Sequence, residues 1–251
     1  MLDTRRNNRV ELSIIIPAHN SSHVLAQTVR SLESVLPGSR AELIIVENGS
    51  TDDTFEIARE LERNAGPLSI RLLRSEPGIG HALTVGISQS IGRVIYITGD
   101  DLPFGTADLF DGMAVLQFYP VVIGSKAHEK SVVKRGPKRA LSTNAFKFLR
   151  KLALGSVVGD SQGTFIVDGD WLRKVVPLIN QGGFLFTTSI VECAELCNKE
   201  ILEIPVQLSE NHATKQSSVR FKHILEMTIG LIKLRANRKH LRAQLDSLTS
   251  E

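Results

Sequence analysis

The stretch Val94-Ile-Tyr-Ile-Thr-Gly-Asp-Asp101 decides the fold, because a short apolar run leads directly into two adjacent acids. Four apolar residues in succession are typical of a strand that is buried on both faces. Acids that follow such a strand lie at the carboxyl edge of a parallel sheet, where ligands bind in open α/β folds. The stretch therefore predicts a central sheet and the edge of that sheet at which chemistry takes place.

Earlier apolar runs, each followed by an amphipathic stretch, extend this pattern towards the N-terminus. They predict strands over residues 12–16, 43–46 and 69–73, with helices between them. Ser21 or Ser22 is placed to cap the first of these helices. Strands that alternate with helices form βαβ units, so we expect an α/β fold with a Rossmann-like, mostly parallel sheet flanked by helices.

The composition is that of a globular protein. The 251 residues are 42% apolar and 23% charged, which excludes a disordered or collagen-like chain. The longest apolar run, 114–124, is too short for a membrane span, and the first twelve residues predict no secretory signal. Cys193 and Cys197 are spaced for one helix face, which favours a reducing, cytoplasmic compartment. A net charge of +3 is too small to indicate nucleic-acid binding.

The second half of the chain changes character. Residues 126–151 hold nine Lys or Arg and one acid, Glu129, which predicts a basic loop leading into a helix over 139–154. Such a segment is often only a solvated face, but its excess in a nearly balanced chain favours an anionic ligand. Helices over 171–178 and 187–197, strands over 164–167 and 201–208, and an amphipathic helical tail from 218 complete the prediction. We expect one domain over residues 1–217 and a helical extension over 218–251.

Asp100 and Asp101 have two interpretations when the residues are considered alone. Paired carboxylates at the edge of a sheet can hold a divalent cation, which would bridge to a diphosphate and stabilise its departure. The same acids could instead cap the helix that follows Pro103. The pattern itself leaves both open.

Four motifs occur in a fixed order along the first hundred residues. They are LSIIIPAHN (12–20), LIIVENGSTD (43–52), PGIGHA (77–82) and GDDL (99–102). Together they resemble the family-2 glycosyltransferases, which have the GT-A fold. Further along, IGSK (123–126), the set Arg139, Ser142 and Asn144, DSQGTF (160–165) and LEIPV (202–206) resemble the polyprenyl-phosphate branch, which includes dolichyl-phosphate mannose and glucose synthases.

This resemblance implies a reaction and a set of site residues. A hexose would pass with inversion from a nucleotide sugar, GDP-mannose or UDP-glucose, to polyprenyl phosphate, with Mg²⁺ or Mn²⁺ held by Asp101 and assisted by Asp100. Residues of about 10–125 would bind the donor and 126–217 the acceptor. The implied donor site comprises Pro17, Ala18, Asn20, Glu47, Asn48, Gly80, Asp100 and Asp101. The implied acceptor-phosphate site comprises Lys126, Arg139 and Ser142, and the implied catalytic set comprises Asp101, Asp160, Arg139 and Lys126.

Three departures from the family pattern keep alternatives open. Gly99 stands where the first acid of the DxD motif is usual, Asn48 replaces an aspartate, and Ser189 stands where the branch has glutamate, with Glu192 one turn on. One alternative is transfer to a glycan or small-molecule hydroxyl, for which Asp160 would be the base. Another is a non-catalytic domain that binds a nucleotide sugar or a membrane.

A lipid acceptor implies that the protein works at the cytoplasmic face of a membrane as a peripheral protein. The best docking element is the stretch 221–234, whose apolar side carries Phe221, Ile224, Leu225, Ile229 and Ile232. The same pattern describes a helix that packs on its own domain or on a second copy. The sequence leaves open whether a membrane protein or a second copy of the chain is a partner.

Overall fold

A computed structural model describes residues 10–36, 40–133, 137–208 and 221–249. Side chains at 137–144, 221–226 and 249 lie outside this description. The side chains of Arg139 and Ser142, both predicted for the acceptor site, therefore fall outside the described residues, as do those of Phe221, Ile224 and Leu225.

A seven-stranded sheet forms the centre of the molecule, in the order β3-β2-β1-β4-β6-β5-β7. The strands are β1 (Leu12–Ala18), β2 (Ala41–Glu47), β3 (Ser69–Arg74), β4 (Val94–Ile97), β5 (Val121–Ser125), β6 (Thr164–Asp168) and β7 (Ile201–Pro205). Among these seven, only β6 runs antiparallel to its neighbours, β4 and β5. The expected mostly parallel sheet is confirmed, and β5 is a strand that the sequence analysis does not predict.

Helices cover both faces of this sheet. They are α1 (Leu25–Val35), α2 (Thr54–Arg63), α3 (Ile79–Gln89), α4 (Ala107–Val115), α5 (Pro137–Leu154), α6 (Gly169–Val175), α7 (Phe186–Leu196) and α8 (Phe221–Thr249). Ile15 packs in the core formed with α3, α6 and α7, whereas Ile14 and Ile16 pack in the core formed with α1, α2 and α4. Because successive side chains point to opposite faces of a strand, a fully apolar run is what a two-sided core requires.

The C-terminal helix α8 packs on the domain through one side. Leu231 and Leu234 join Leu154 and Leu185 in a small apolar cluster, whereas Ile229 and Ile232 are exposed. Arg235 and Arg238 donate to the carbonyls of Ala153 and Leu154, which satisfies carbonyls at the end of α5. Within the described ranges, no helix combines the length and apolar character that crossing a bilayer requires.

Candidate active site

The loop after β4 gives its two acids different surroundings. The carboxylate of Asp100 accepts a hydrogen bond from Ser21 Oγ, and its backbone carbonyl accepts one from Thr28 Oγ1 at 2.6 Å. Asp101 instead lines a cavity of about 360 Å³ beyond the carboxyl end of β4. The helix-cap interpretation of the acids is wrong, because α4 begins at Ala107 and its N-cap residue is Thr106.

Ser21 is a contact residue that the sequence analysis treats only as a candidate helix cap. Helix α1 begins at Leu25, and no side chain caps it. The Ser21 hydroxyl serves Asp100 instead, and its backbone N–H donates to Thr54 Oγ1 at 2.7 Å. Ser21, in the loop after β1, therefore joins the first residue of α2 to the loop after β4 at one edge of the sheet.

Glycine at position 99 leaves room for the carboxylate of Asp101. A Cβ atom built at this position would lie 3.1 Å from Asp101 Oδ1 and 3.3 Å from Cδ of Pro103. A larger residue at position 99 would therefore press on the acid that lines the cavity. The departure from the DxD pattern removes one carboxylate and gives the other more space.

The described residues are suited to a cation that binds together with a phosphate ligand. They include no group of three or more His, Cys, Asp or Glu side chains arranged to hold a metal by itself. Asp100 and Asp101 supply hard oxygen donors, and Mg²⁺ commonly takes one or two carboxylates while phosphates and waters complete its shell. A metal bound here would thus depend on the phosphates of a nucleotide.

The end of β2 holds a buried polar pair, Glu47 and Asn48. Glu47 accepts from the Ser50 N–H at 2.5 Å and from Arg74 Nε at 3.1 Å. Burial raises the pKa of Glu47, but the hydrogen bonds from Ser50 and Arg74 outweigh it, so that this pKa is lowered. Oδ1 of Asn48 is buried, and no described group donates to it. Asn48 therefore contributes to this edge a buried acceptor that has no donor among the described residues.

The loop after β1 is joined to the loop after β2. Asn20 has a φ of 53°, a left-handed conformation that Asn tolerates better than most residues. Its Oδ1 accepts from the Thr51 N–H at 2.8 Å, while the carbonyl of Ala18 accepts from the Asn48 N–H at 3.1 Å. Of the residues predicted for donor binding, Pro17 and Asp101 line the cavity.

Gly80 lies where two parts of the chain touch. Its N–H donates to the carbonyl of Gly182 at 2.9 Å, and a Cβ atom added to Gly80 would lie 2.0 Å from the carbonyl oxygen of Gln181. The lack of a side chain thus lets the segment 181–183 approach the start of α3. The role predicted for Gly80 towards the donor stays a prediction.

Lys126, which also lines the cavity, forms an ion pair with Asp160. Lys126 Nζ lies 3.0 Å from Asp160 Oδ2 and donates to the carbonyl of Gln162 at 2.8 Å. The N–H of Lys126 donates to Oδ2 of Asp160 at 3.0 Å, and the N–H of Gln162 donates to Oδ1 at 2.9 Å. Both oxygens of Asp160 are therefore engaged.

The charge state of Asp160 follows from these contacts. Burial raises the pKa of this carboxyl, but the charge of Lys126 and the hydrogen bonds from Lys126 and Gln162 outweigh burial. The pKa of Asp160 is consequently lowered. An ionised carboxylate with both oxygens engaged is suited to orienting a cation and poorly placed to accept a proton from a hydroxyl group.

The rest of the cavity wall is largely apolar. Its apolar lining includes Ile79, Leu83, Phe104, Val133, Phe184, Phe186 and Leu208. Gln162 also lines the cavity and donates from Nε2 to the carbonyl of Phe184 at 2.7 Å. Gln162 belongs to the motif DSQGTF, but its sequence context alone does not indicate this contact.

The acid one turn after Ser189 does not replace the glutamate usual in the family. Ser189 Oγ donates to the carbonyl of Leu185 at 3.1 Å, and Glu192 is buried with Arg238 Nε 3.0 Å from its Oε1. Burial raises the pKa of Glu192 to about 7 against the opposing charge of Arg238. Neither Ser189 nor Glu192 is among the residues that line the cavity.

Comparison with known proteins places these motifs in a family. The model of glycosyl transferase family 2 matches residues 13–176. Glycosyltransferase AglD of Haloferax volcanii is 27% identical over 225 residues, which are 84% of this chain and 35% of that protein. A dolichyl-phosphate beta-glucosyltransferase of Drosophila melanogaster is 25% identical over 226 residues, 82% of this chain and 69% of that protein.

The match covers about a third of the length of AglD and, over only 94 residues of this chain, about a third of the similar AglE. Among solved structures, glucosyl-3-phosphoglycerate synthase from Mycobacterium tuberculosis, in complex with Mn²⁺, UDP and glucosyl-3-phosphoglycerate, superimposes with a TM-score of 0.66 at 18% identity. The match covers 93% of this chain and 81% of that protein, and it supports the expected GT-A fold. On the strength of the family match, which extends over more than half of its residues, this chain belongs to glycosyl transferase family 2.

Proposed function

We propose that the protein transfers a hexose from a nucleotide sugar to polyprenyl phosphate. The observation that carries this proposal is one cavity lined by both Asp101 and Lys126. Asp101 is a carboxylate able to share a cation with a diphosphate, Lys126 is a cation able to bind a phosphate, and much of the remaining wall is apolar. We assign the donor diphosphate to Asp101 and the lipid phosphate to Lys126.

The donor base is proposed to meet Asn48. Its buried Oδ1 has no donor among the described residues, and leaving such an atom unpaired costs about 1–3 kcal/mol. An N–H group of a nucleobase would satisfy it, and both uracil and guanine carry one. The proposal therefore covers UDP-glucose and GDP-mannose alike.

The acceptor phosphate needs no general base. It is ionised at neutral pH, so one of its oxygens can attack the anomeric carbon while the bond from that carbon to the diphosphate breaks on the opposite face. Lys126 would hold the phosphate in line, and Asp160 would hold Lys126; positioning would supply much of the rate. Mg²⁺ or Mn²⁺, when bound at Asp101, would offset charge on the leaving diphosphate. Arg139 and Ser142 keep their proposed roles beside this phosphate.

The apolar walls favour a lipid over a hydrophilic acceptor. Phe104, Val133 and Leu208 can cover the first isoprenoid units, which a sugar or a free glycerate would leave in contact with water. Transfer to a hydroxyl group with Asp160 as base is disfavoured, because Lys126 and Gln162 occupy both of its oxygens.

A lipid acceptor further implies peripheral association with a membrane. Ile229 and Ile232 of α8 are exposed beside Lys233 and Arg235, and Phe148 and Leu152 of α5 are exposed beside Lys147 and Lys151. Apolar side chains next to cations are suited to an anionic bilayer surface.

The test is a transfer assay with radiolabelled UDP-glucose and GDP-mannose, a short polyprenyl phosphate, and Mg²⁺ or Mn²⁺. We expect label in butanol-extractable lipid with one of the two donors. Parallel reactions contain 3-phosphoglycerate or a simple glycan as the acceptor. Label found only in a water-soluble product would replace the lipid acceptor, and nucleotide binding without any transfer would support a non-catalytic domain.

A further inference from the structure

We infer that Glu203, on the edge strand β7, is a positioning residue for Lys126 and acts through the backbone of Gly159 and Asp160. The inference rests on the proposed function, in which Lys126 binds the acceptor phosphate. Glu203 does not line the cavity, and 77 positions separate it from Lys126 in the sequence. Its influence on the site must therefore pass through the residues between them.

Glu203 uses both carboxylate oxygens on two successive backbone N–H groups. Gly159 N–H donates to Oε2 at 2.6 Å, and Asp160 N–H donates to Oε1 at 2.9 Å. Hydrogen bonds to a charged acceptor are stronger than those between neutral groups, and two from adjacent residues fix the orientation of the peptide between them. The backbone that carries Asp160 is thereby held against β7.

The contacts of Asp160 link this backbone to the cavity through Lys126. Asp160 accepts from the N–H of Lys126 and lies 3.0 Å from its ammonium nitrogen. The ammonium also lies 5.4 Å from the ring centre of Phe104, a residue of the cavity wall. A shift of the peptide at position 160 would move the carboxylate that holds Lys126.

Glycine at position 159 fits this arrangement. A Cβ atom there would lie 2.9 Å and 3.0 Å from the two oxygens of Glu203, and 3.0 Å from Cβ of Ala127. The chain at this point is thus enclosed between Glu203 and the residue that follows Lys126. A side chain at position 159 would separate the carboxylate from the backbone that it binds.

Arg150 compensates the charge of the two neighbouring acids. This side chain is 1% exposed, and Glu195, Asp160 and Glu203 all attract its charge. Its Nε and Nη2 atoms have no hydrogen-bond partner among the described residues. Arg150 and Lys126 offset part of the charge of Glu195, Asp160 and Glu203, which favours a second carboxylate next to the buried Asp160.

The experiment compares Glu203→Gln with Glu200→Gln, the same substitution at an exposed position three residues earlier. In Glu203→Gln, the new side-chain amide can accept from one of the two N–H groups and must turn its own donor towards the other. An amine-modifying reagent is applied, and the labelling rates of Lys126 and of the exposed Lys174 are followed by peptide mass spectrometry. This readout requires no glycosyl transfer.

We expect Glu203→Gln to raise the labelling rate of Lys126 several-fold and to leave Lys174 unchanged, because an ammonium held by Asp160 reacts slowly. In an Asp160→Asn background, Glu203→Gln should add little, since the two residues act in sequence. In the transfer assay, the KM for polyprenyl phosphate should rise by a larger factor than that for the nucleotide sugar.

Labelling of Lys126 at the wild-type rate in folded Glu203→Gln would overturn the inference and assign Glu203 to stability alone. If this variant does not fold, Glu203→Asp replaces it, since it keeps both acceptors but withdraws them by one methylene. If the wild-type protein transfers no sugar to polyprenyl phosphate, the proposed function fails, while the labelling rates still decide whether Glu203 positions Lys126.

Discussion

The hydroxyl of Ser21 donates a hydrogen bond to the carboxylate of Asp100, although 79 positions separate the two residues in the sequence. Thr28 holds the backbone of Asp100 from α1. The acid nearer to β4 is thus tied into the sheet edge, and its neighbour Asp101 lines the cavity. Adjacent carboxylates that look equivalent in the sequence therefore have different surroundings in the fold.

Asp101→Asn should lower transfer by about a hundredfold or more, because it removes the charge proposed to share a cation with the diphosphate. Asp100→Asn should be milder, since an amide oxygen can still accept from Ser21. Transfer rates and metal-dependent binding of UDP or GDP measure both. Wild-type activity in Asp101→Asn, or full activity of the wild-type protein in excess EDTA, would contradict the metal role.

Lys126→Met should raise the KM for polyprenyl phosphate by about tenfold or more, because it removes a cation next to the acceptor phosphate at nearly constant volume. The dissociation constant of the free nucleotide should change little. Lys174→Met, which replaces an exposed lysine of α6, is the matched control. An equal loss for lipid and nucleotide would assign Lys126 to the donor diphosphate.

Gly80→Ala should reduce the free energy of unfolding by roughly 1–3 kcal/mol, because the added methyl group meets the carbonyl of Gln181. Gly183→Ala is the control, since a Cβ atom there meets nothing within 4 Å. Urea unfolding of both variants measures the effect. Equal stability of the two would show that the segment 181–183 moves aside at little cost.

The sequence predicts the sheet edge well because local rules define it. Apolar runs identify β1 to β4, and acids that follow β4 must lie at its carboxyl end. The run that contains β5 is considered in the sequence analysis only as a membrane span, and the antiparallel direction of β6 has no local signal at all. Parallel and antiparallel strands are both short and apolar, so tertiary pairing alone distinguishes them.

The candidate site, like the sheet, contains residues that the sequence predicts and residues that it does not predict. Asp101, Lys126 and Asp160 stand in recognisable motifs; the structure brings Asp101 and Lys126 to one cavity and pairs Asp160 with Lys126. Ser21 and Glu203 make hydrogen bonds with residues far away in the sequence, and nothing in their neighbours indicates those partners. Contacts of this kind follow from the fold and cannot be seen in a single sequence.

Stability should depend on pH through Glu192. Because burial raises its pKa to about 7 in the folded protein, from an ordinary value of 4.5, the folded state binds more protons than the unfolded state between these pH values. The free energy of unfolding should therefore fall as the pH rises from 4.5 to 7 and level off above that. Relative to Glu192→Gln, which lacks this titration, the wild-type protein should lose about 3 kcal/mol across the range.

Urea unfolding at pH 5 and pH 8 measures this difference for both proteins. Arg238 and Glu195 face Glu192 in both, so their contributions largely cancel in the comparison. Parallel pH profiles would mean that Arg238 keeps Glu192 ionised throughout.

Binding to anionic liposomes should depend on the outward side of α8. Ile232 is 63% exposed and is followed by Lys233 and Arg235, so Ile232→Glu should weaken co-sedimentation by removing apolar burial and adding repulsion from the lipid charge. Each basic residue near such a surface contributes about 1 kcal/mol to binding, so binding should also weaken as salt is added.

Ile91→Glu is the control, because Ile91 is equally exposed at 63% but precedes the amino end of β4, away from the cavity. Equal weakening by both variants would indicate non-specific adsorption. If the wild-type protein does not bind the liposomes at low salt, either another protein brings it to its lipid or the acceptor is not a lipid.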